Sequence, residues 1–316
     1  FWQFPVITEK RFYIQNYKNS DYFGFPWATV IDKKYNLDLI YKIITTEHNI
    51  DFTKHYYTCV QHISFRKILP LFKKLNINLV YTPHKVLGED NIDDITLKAC
   101  ALYAVGYEDK YRCTTYRDFS NNIEYFNHYD IINKNVDKIF LYSFIGAYNP
   151  RDYLTDVRNR IYNMKHQENC IIENTKTWHF DEVVYSKIQN ITNYKDHLKD
   201  FFNNSKGTYK STMKDSSNNY NLFLLTSRFS LCPSGSGPNS IRLWESLAVG
   251  AIPVLLADTL ELPEHELWDK AILRVKEQDL ETVPSLLEQI APEKEEEMRK
   301  NCITIYNHFR NNYTNN

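Results

Sequence analysis

The sequence predicts an α/β fold built on parallel sheets covered by helices. Residues 56–81 and 229–257 each read as an apolar strand, a helix with one apolar face, and a second apolar strand. Successive units of this kind give parallel sheets with right-handed crossovers. At 316 residues the chain is long enough for two domains of ordinary size.

The elements run as follows. Ala28 to Ile31 reads as a strand ending in Asp32, and Tyr56 to Val60 as a second strand leading to Gln61 and His62. Phe65 to Leu75 has helical spacing, with Ile68, Leu69, Leu71, Phe72 and Leu75 on one face. Asn78 to Tyr81 is the next strand, closed by Thr82, Pro83 and His84, and Leu102 to Val105 is a further short one. Residues 106–138 are polar and irregular, and the crossing between domains is placed near their end. Ile139 to Ile145 reads as a strand and Asp152 to Asn163 as a helix. Residues 188–220 are rich in Asn, Lys and Ser, which suits a polar insertion or a mobile loop at a cleft mouth. Pro292 opens a helix whose acidic first turn complements its dipole; it continues through Ile303, Tyr306 and Phe309.

The segment from Arg228 to Asp258 is the most informative. Three of the chain's eight glycines, Gly235, Gly237 and Gly250, fall in it. Phe229 to Cys232 is an apolar strand, and Pro233 to Asn239 is loop chemistry. Asn239 or Ser240 can cap the helix carrying Ile241, Leu243, Trp244 and Leu247, and Gly250 sits where a helix C-terminal glycine belongs. Ile252 to Ala257 is the following strand. The glycine loop then meets the helix start, where free N–H groups and the helix dipole attract an anion, most often a phosphate.

Three ligand readings compete. A P-loop lacks its Gly-Lys-Ser/Thr. A dinucleotide fingerprint is closer: Gly235 and Gly237 match its first two glycines, Ser240 replaces the third, and Asp258 lies roughly 20 residues on. That alternative implies an NAD-linked oxidoreductase. The third reading uses Arg242 and Glu245, three apart on one side of the helix. Arg242 adds charge at a diphosphate, and Glu245 accepts hydrogen bonds from ribose hydroxyls. The bland counterpart is a surface ion pair stabilising the helix by about 0.2–0.5 kcal/mol.

Composition narrows the partners. Hydrophobic content of 43% and charged content of 24% are globular values. A net charge of −1 argues against a general nucleic-acid footprint, and leaves room for a local positive pocket around Arg158, Arg228 and Arg242. The six cysteines form no C-x-x-C pair, so a structural zinc site is disfavoured and a reducing compartment fits. No apolar run reaches the roughly 18–20 residues that span a bilayer. The expected location is cytoplasmic, or the Golgi lumen if an N-terminal anchor preceded Phe1. Sequons at Asn190, Asn203 and Asn312 are near chance in so asparagine-rich a chain.

Phe229-Ser-Leu-Cys-Pro-Ser-Gly-Ser-Gly, then Ser240-Ile-Arg-Leu-Trp-Glu, then Gly250-Ala-Ile-Pro-Val and Asp258, resemble the donor-binding signature of exostosin-type glycosyltransferases. Ile139 to Gly146, with Arg151 and Arg158, resembles that family's earlier block. The likeness covers roughly residues 139–263. Ser234 stands where the family often has a basic residue. The Asn, Lys, Ile and Tyr bias suits an AT-rich genome, and exostosin-like proteins occur in large DNA viruses.

The resemblance implies the GT-B architecture: two Rossmann-like domains facing a cleft, with a C-terminal helix packing back across both. It places an acceptor-side domain at 1–138, a nucleotide-sugar domain at 139–291, and the returning helix at 292–316. It implies inverting transfer from a UDP-sugar, UDP-xylose among the candidates, to an oligosaccharide or glycoprotein glycan. The expected donor set is Arg158, Arg228, Ser234, Gly235, Ser236, Gly237, Asn239, Ser240, Arg242, Glu245 and Asp258. With no Asp-x-Asp setting, no metal cofactor is expected; Asp93-Asp94 reads as a solvated loop. The base should face the cleft from the N-terminal half. His62 is the first choice, with His84 and Asp32 at the ends of neighbouring strands. Each is alternatively a loop or cap residue. A non-catalytic carbohydrate-binding relative is the third class.

Overall fold

The computed structural model describes residues 7–47, 49–108, 137–175 and 220–312. The inter-domain crossing expected within 106–138, the cleft-mouth loop expected at 188–220, and the sequons at Asn190 and Asn203 lie largely or wholly outside the described residues.

The N-terminal part carries α1 (Ile7–Asn16), α2 (Trp27–Asp32), α3 (Leu37–Glu47), β1 (Tyr56–Cys59), a 3-10 turn (Phe65–Ile68) running into α4 (Leu69–Lys74), β2 (Ile77–Thr82), β3 (Asn91–Ile92), β4 (Ile95–Ala99) and α5 (Val105–Glu108). Its sheet has the order β1-β2-β4-β3, with only β3 antiparallel to its neighbour. The C-terminal part carries β5 (Phe140–Gly146), α6 (Val157–Asn163), β6 (Cys170–Asn174), α7 (220–226), β7 (Ser227–Pro233), α8 (Ile241–Val249), β8 (Ile252–Leu256), α9 (Trp268–Ala271), β9 (Leu273–Arg274), α10 (Val283–Glu288) and α11 (Pro292–Asn311). Its five strands are all parallel, in the order β6-β5-β7-β8-β9. Every residue of β8 and nearly all of β7 are buried. A parallel sheet covered on both faces demands such continuous apolar runs, which is why these strands show no alternation.

Two expected strands are absent. Residues 28–31 form helix α2 instead. The β-branched run Thr29-Val30-Ile31 favours a strand locally, but tertiary contacts override it. The buried Glu9 carboxylate accepts the Ala28 N–H (3.1 and 3.3 Å to its two oxygens), and the Trp27 indole donates to Thr58 Oγ1 at 2.7 Å. Leu102 to Val105 does not join the sheet; the Tyr103 N–H bonds to Thr8 Oγ1 at 2.9 Å, and a helical turn begins at Val105. The helix expected from Asp152 starts at Val157, because an Asn149-centred turn occupies 149–153. Strands β3, β4 and β6 were not foreseen. Asp93 turns the β3–β4 hairpin with φ 54°, and Asp93 and Asp94 bind Lys73 at the surface.

Backbone pairing ties the strand ends of the two sheets. Val86 bridges Leu260, the Leu87 N–H donates to Thr259 O (3.0 Å), and the Glu261 N–H donates to Lys85 O (3.1 Å). The buried Lys85 ammonium binds Asp90 at 2.8 Å and also Glu261. Helix α11 packs Phe309 edge-on to Trp244 (5.5 Å, 89°). Its last turns reach back to α5, where Arg310 meets Glu108 at 2.7 Å, and to α1, where Gln15 Nε2 donates to Asn311 O at 3.2 Å.

Candidate active site

The site lies at the carboxyl ends of β2, β5, β7 and β8. Strand β7 ends at Pro233, and the loop folds on itself, with the Gly235 N–H donating to Gly237 O at 2.9 Å. Ser240 caps α8, its Oγ accepting the Arg242 N–H at 3.3 Å, and Gly250 closes the helix in the left-handed region at φ 65°. Asn239 is structural glue. Its Nδ2 donates to Pro83 O (2.8 Å), while its Oδ1 accepts the Ser240 N–H (2.8 Å) and the Trp244 indole (3.2 Å).

Three glycines leave room for functional atoms. A β-carbon on Gly237 would lie 2.6 Å from Ile63 Cγ2 and 2.8 Å from His84 Nδ1. One on Gly235 would lie 3.3 Å from Arg158 Nη2. One on Gly146 would lie 3.2 Å from Arg242 Nη2 and 3.4 Å from Arg158 Nη1. The loop therefore approaches the N-terminal half through Gly237 and the Arg158 guanidinium through Gly235, while both guanidinium groups meet at Gly146.

Those two arginines are the strongest electrostatic feature. Arg158 and Arg242 are 8% and 7% exposed. Arg158 donates from Nε to Ser234 O (2.8 Å) and from Nη1 to Ala147 O (2.9 Å), and Arg242 donates to Ile145 O. Both guanidinium groups face the Phe144 ring, at 5.5 and 4.6 Å, and Tyr153 and Tyr220 cover their other sides at 4.7 and 5.2 Å. Among the described residues neither meets a carboxylate, and Arg242 Nε has no hydrogen-bond partner. Burial lowers Arg158 to about 10, with the Arg242 charge adding to it and Tyr153 opposing. Two desolvated like charges side by side are unfavourable unless an anion joins them.

Next to the loop is a cleft of about 520 Å³, lined among others by Ile63, Arg66, His84, Ser236, Asp258 and Glu277. His84 is buried, and its Nδ1 has no hydrogen-bond partner among the described residues. Burial, helped by His62 and Arg66, lowers its pKa to about 3, so the ring is neutral. Asp258 accepts the Glu277 N–H at 2.9 Å. Glu277 accepts the Ser234 hydroxyl at 3.1 Å, and Ser234 Oγ also lies 3.1 Å from Thr155 Oγ1. Burial raises the Glu277 pKa, against the hydrogen bonds from Thr155 and Ser234 and with help from the Asp258 charge.

Four expected site residues are engaged elsewhere. Arg228 is the second residue of β7, roughly 16 Å of strand away from the loop, and binds Glu295 of α11 at 2.7 Å. Glu245 is buried, with Oε1 accepting the Gly106 N–H and Oε2 the Tyr220 hydroxyl, both at 2.6 Å. Its carboxylate fastens α5 to α8. His62 Nε2 meets Asp32 Oδ1 at 2.9 Å, and its Nδ1 accepts the Ser64 N–H at 2.9 Å. With both nitrogens occupied, His62 has no lone pair for a substrate proton, and Asp32, which ends a helix and not a strand, is the group that holds it. The remaining expected residues, Arg158, Ser234, Gly235, Ser236, Gly237, Asn239, Ser240, Arg242, Asp258 and His84, gather around the loop and the cleft.

Sequence reasoning missed Glu277 and Thr155. Glu277 sits in Val275-Lys276-Glu277-Gln278-Asp279, which reads as a solvated stretch; its tertiary bonds to Asp258 and Ser234 bring it to the cleft.

A parallel sheet, a glycine turn at a helix start, two buried guanidinium groups and an adjoining cleft form the strand-end layout at which open α/β proteins take their ligands. The family model of the Exostosin GT47 domain matches residues 123–290, more than half of the chain, and the chain belongs to that family. A probable glucuronoxylan glucuronosyltransferase of Arabidopsis thaliana is 39% identical over 74 residues, 23% of this chain and 16% of that protein. An exostosin-1 homolog of Caenorhabditis elegans is 32% identical over 92 residues, 28% of this chain and 24% of that protein. A probable beta-1,4-xylosyltransferase of Arabidopsis thaliana is 39% identical over 67 residues, 21% of this chain and 16% of that protein. The chain thus matches less than a quarter of the length of each of these relatives. No helix among the described residues is long and apolar enough to cross a membrane.

Proposed function

We propose that this chain transfers a sugar from a UDP-sugar to a glycan hydroxyl, with inversion and without a metal ion. The observation that carries the reading is the buried pair Arg158 and Arg242, which has no carboxylate partner among the described residues and lies against Gly146 and Gly235. Two charge-assisted donors beside a helix start match a diphosphate leaving group and supply the neutralisation that a cation supplies elsewhere. The names of the relatives, glucuronosyl- and xylosyltransferases, support glycosyl transfer as the reaction class. Family membership leaves the NAD-linked alternative without support.

In the proposed step the acceptor oxygen attacks the anomeric carbon from the face opposite the diphosphate. The C–O bond to the diphosphate breaks as the new one forms, which inverts the centre. The hydroxyl proton passes to the imidazole of His84, which lines the cleft. Burial disfavours the charged form of His84 and makes it a weak base. An incoming diphosphate adds negative charge nearby and raises that basicity. The two sheets meeting at the cleft support a GT-B division at 1–138, 139–291 and 292–316, with α11 returning to α1.

The test is thermal stabilisation by UDP in EDTA, for the unaltered chain and for Arg158→Gln and Arg242→Gln. UDP should stabilise the unaltered chain and lose at least tenfold in affinity in either variant. Equal affinity in all three proteins would remove the site assignment. The occupied His62 and the weakly basic His84 favour one second reading, a nucleotide-sugar-binding relative without turnover. Binding with no transfer or hydrolysis on any acceptor panel would establish that reading.

A further inference from the structure

We infer that the donor sugar is neutral, a pentose or hexose carrying hydroxyls, and not a uronic acid. The inference deepens the UDP-sugar reading and rests on it. The cleft holds two carboxylates, Asp258 and Glu277, joined through the Glu277 N–H. Neither carboxylate forms an ion pair among the described residues: Arg160, the nearby cation, bonds the Glu277 backbone carbonyl at 2.8 Å and pairs its charge with Glu281 at 2.8 Å. Arg66 also lines the cleft, but it already binds Glu89 through Nε at 3.2 Å and through Nη2. Recruiting it for a sugar carboxylate would leave Glu89 unpaired.

The remaining polar lining suits hydroxyls. Carboxylate oxygens accept from sugar O–H groups, and Ser236 offers a hydroxyl at the loop. His84, more than nine-tenths buried with an unpartnered Nδ1, marks the same cleft as built to meet a polar ligand. A uronate would place a third carboxylate beside two others in a partly desolvated space, where like charges repel far more than in water. Hydroxyl-bearing sugars meet acceptors already in place. Selection of this kind works by repulsion of the wrong ligand as much as by attraction of the right one.

UDP-xylose and UDP-glucuronate are the decisive pair, because they differ only by the carboxylate at C5. Affinities for both, and for UDP, are measured by calorimetry at about pH 8, above the ordinary carboxyl range. UDP-glucuronate should bind at least tenfold more weakly than UDP-xylose, which is about 1.4 kcal/mol. That ratio should narrow at least threefold in an Asp258→Asn, Glu277→Gln double variant. It should also narrow in the unaltered chain as salt rises, since screening weakens repulsion, and this measurement needs no variant to fold. Equal or tighter binding of UDP-glucuronate, or a ratio unmoved by both charge removal and salt, overturns the inference while UDP binding stands. Failure to bind UDP overturns the nucleotide reading, and this one with it.

Discussion

Gly146→Ala separates an anion cradle from ordinary packing. The added methyl would sit 3.2 Å from Arg242 Nη2, 3.4 Å from Arg158 Nη1 and 3.4 Å from Phe144 Cζ. These contacts are tight but not prohibitive, and two of the three neighbours are ends of long side chains. Gly146 is not among the positive-φ residues, so alanine meets no backbone penalty. Loss of glycine freedom in the unfolded chain stabilises by about 0.4–1 kcal/mol, which offsets most of the crowding. The net change in stability should stay within about 1 kcal/mol. The methyl nevertheless fills the wedge between the guanidinium groups. If a diphosphate enters there, at least one charge-assisted hydrogen bond is lost, about 1.5–3 kcal/mol or roughly 10- to 150-fold in affinity. Calorimetric titration with UDP, beside a ligand-free melt, reads both quantities. A variant that melts like the parent and binds UDP equally well would refute the placement of the anion.

The remaining predictions concern residues with separable roles. Glu245→Ala should lower stability by about 3 kcal/mol, because it strands the buried Gly106 N–H and Tyr220 hydroxyl; UDP affinity, measured well below the melting point, should hold. His84→Ala should cut transfer by at least a hundredfold while UDP affinity changes less than threefold, the signature of a lost base; initial rates at saturating donor decide it. Glu9 has a carboxyl raised to about 8 by burial. Its protonated form is favoured in the folded chain, so the stability it contributes is full below about pH 4.5 and is lost as pH rises through about 8. Glu9→Gln should flatten that decline, by a few kcal/mol at the alkaline end, in urea melts taken across the range.

The parallel C-terminal sheet was legible because its strands are buried on both faces and flanked by glycines. Phe229 to Cys232 and Ile252 to Leu256 need no partner to be recognised, and Ser240 and Gly250 mark both ends of the helix between them. Residues 28–31 were misread because Glu9, nineteen positions before Ala28, supplies the helix start, and local propensity is blind to such a partner. The site divides along the same line. The loop and Arg242 lie in one contiguous stretch and could be read directly. The long-range partners of Glu245 and Arg228 could not. Each is a charged residue whose partner comes from a distant element, Gly106 for one and Glu295 for the other. Likewise His62 and His84 follow β1 and β2 in similar positions. Only the tertiary contact with Asp32 shows that the first is occupied, and only the contact with Gly237 shows that the second is aimed at the loop.

The arginine pair also bears on the stability of the chain itself. Arg158 and Arg242 each use backbone carbonyls and aromatic faces as stand-ins for a counter-charge. Carbonyl dipoles and ring quadrupoles hold a guanidinium in place without neutralising it, so the repulsion between the two cations persists. Had the pair served stability alone, one carboxylate between them would have been the simpler solution. Glu245, three residues after Arg242 on the same helix, instead points its oxygens to Gly106 and Tyr220. Leaving the cations uncompensated makes sense for a site whose missing charge arrives with the substrate. Under that logic ligand-free stability is lower than the fold permits, and a bound nucleotide adds about 2.7 kcal/mol at one hundred times its dissociation constant. Replacing both arginines with Gln should then raise the ligand-free melting temperature while abolishing the UDP response. A double variant that melts below the parent would show that the cations stabilise the fold in their own right, and the case for a ligand-supplied anion would lose its energetic basis.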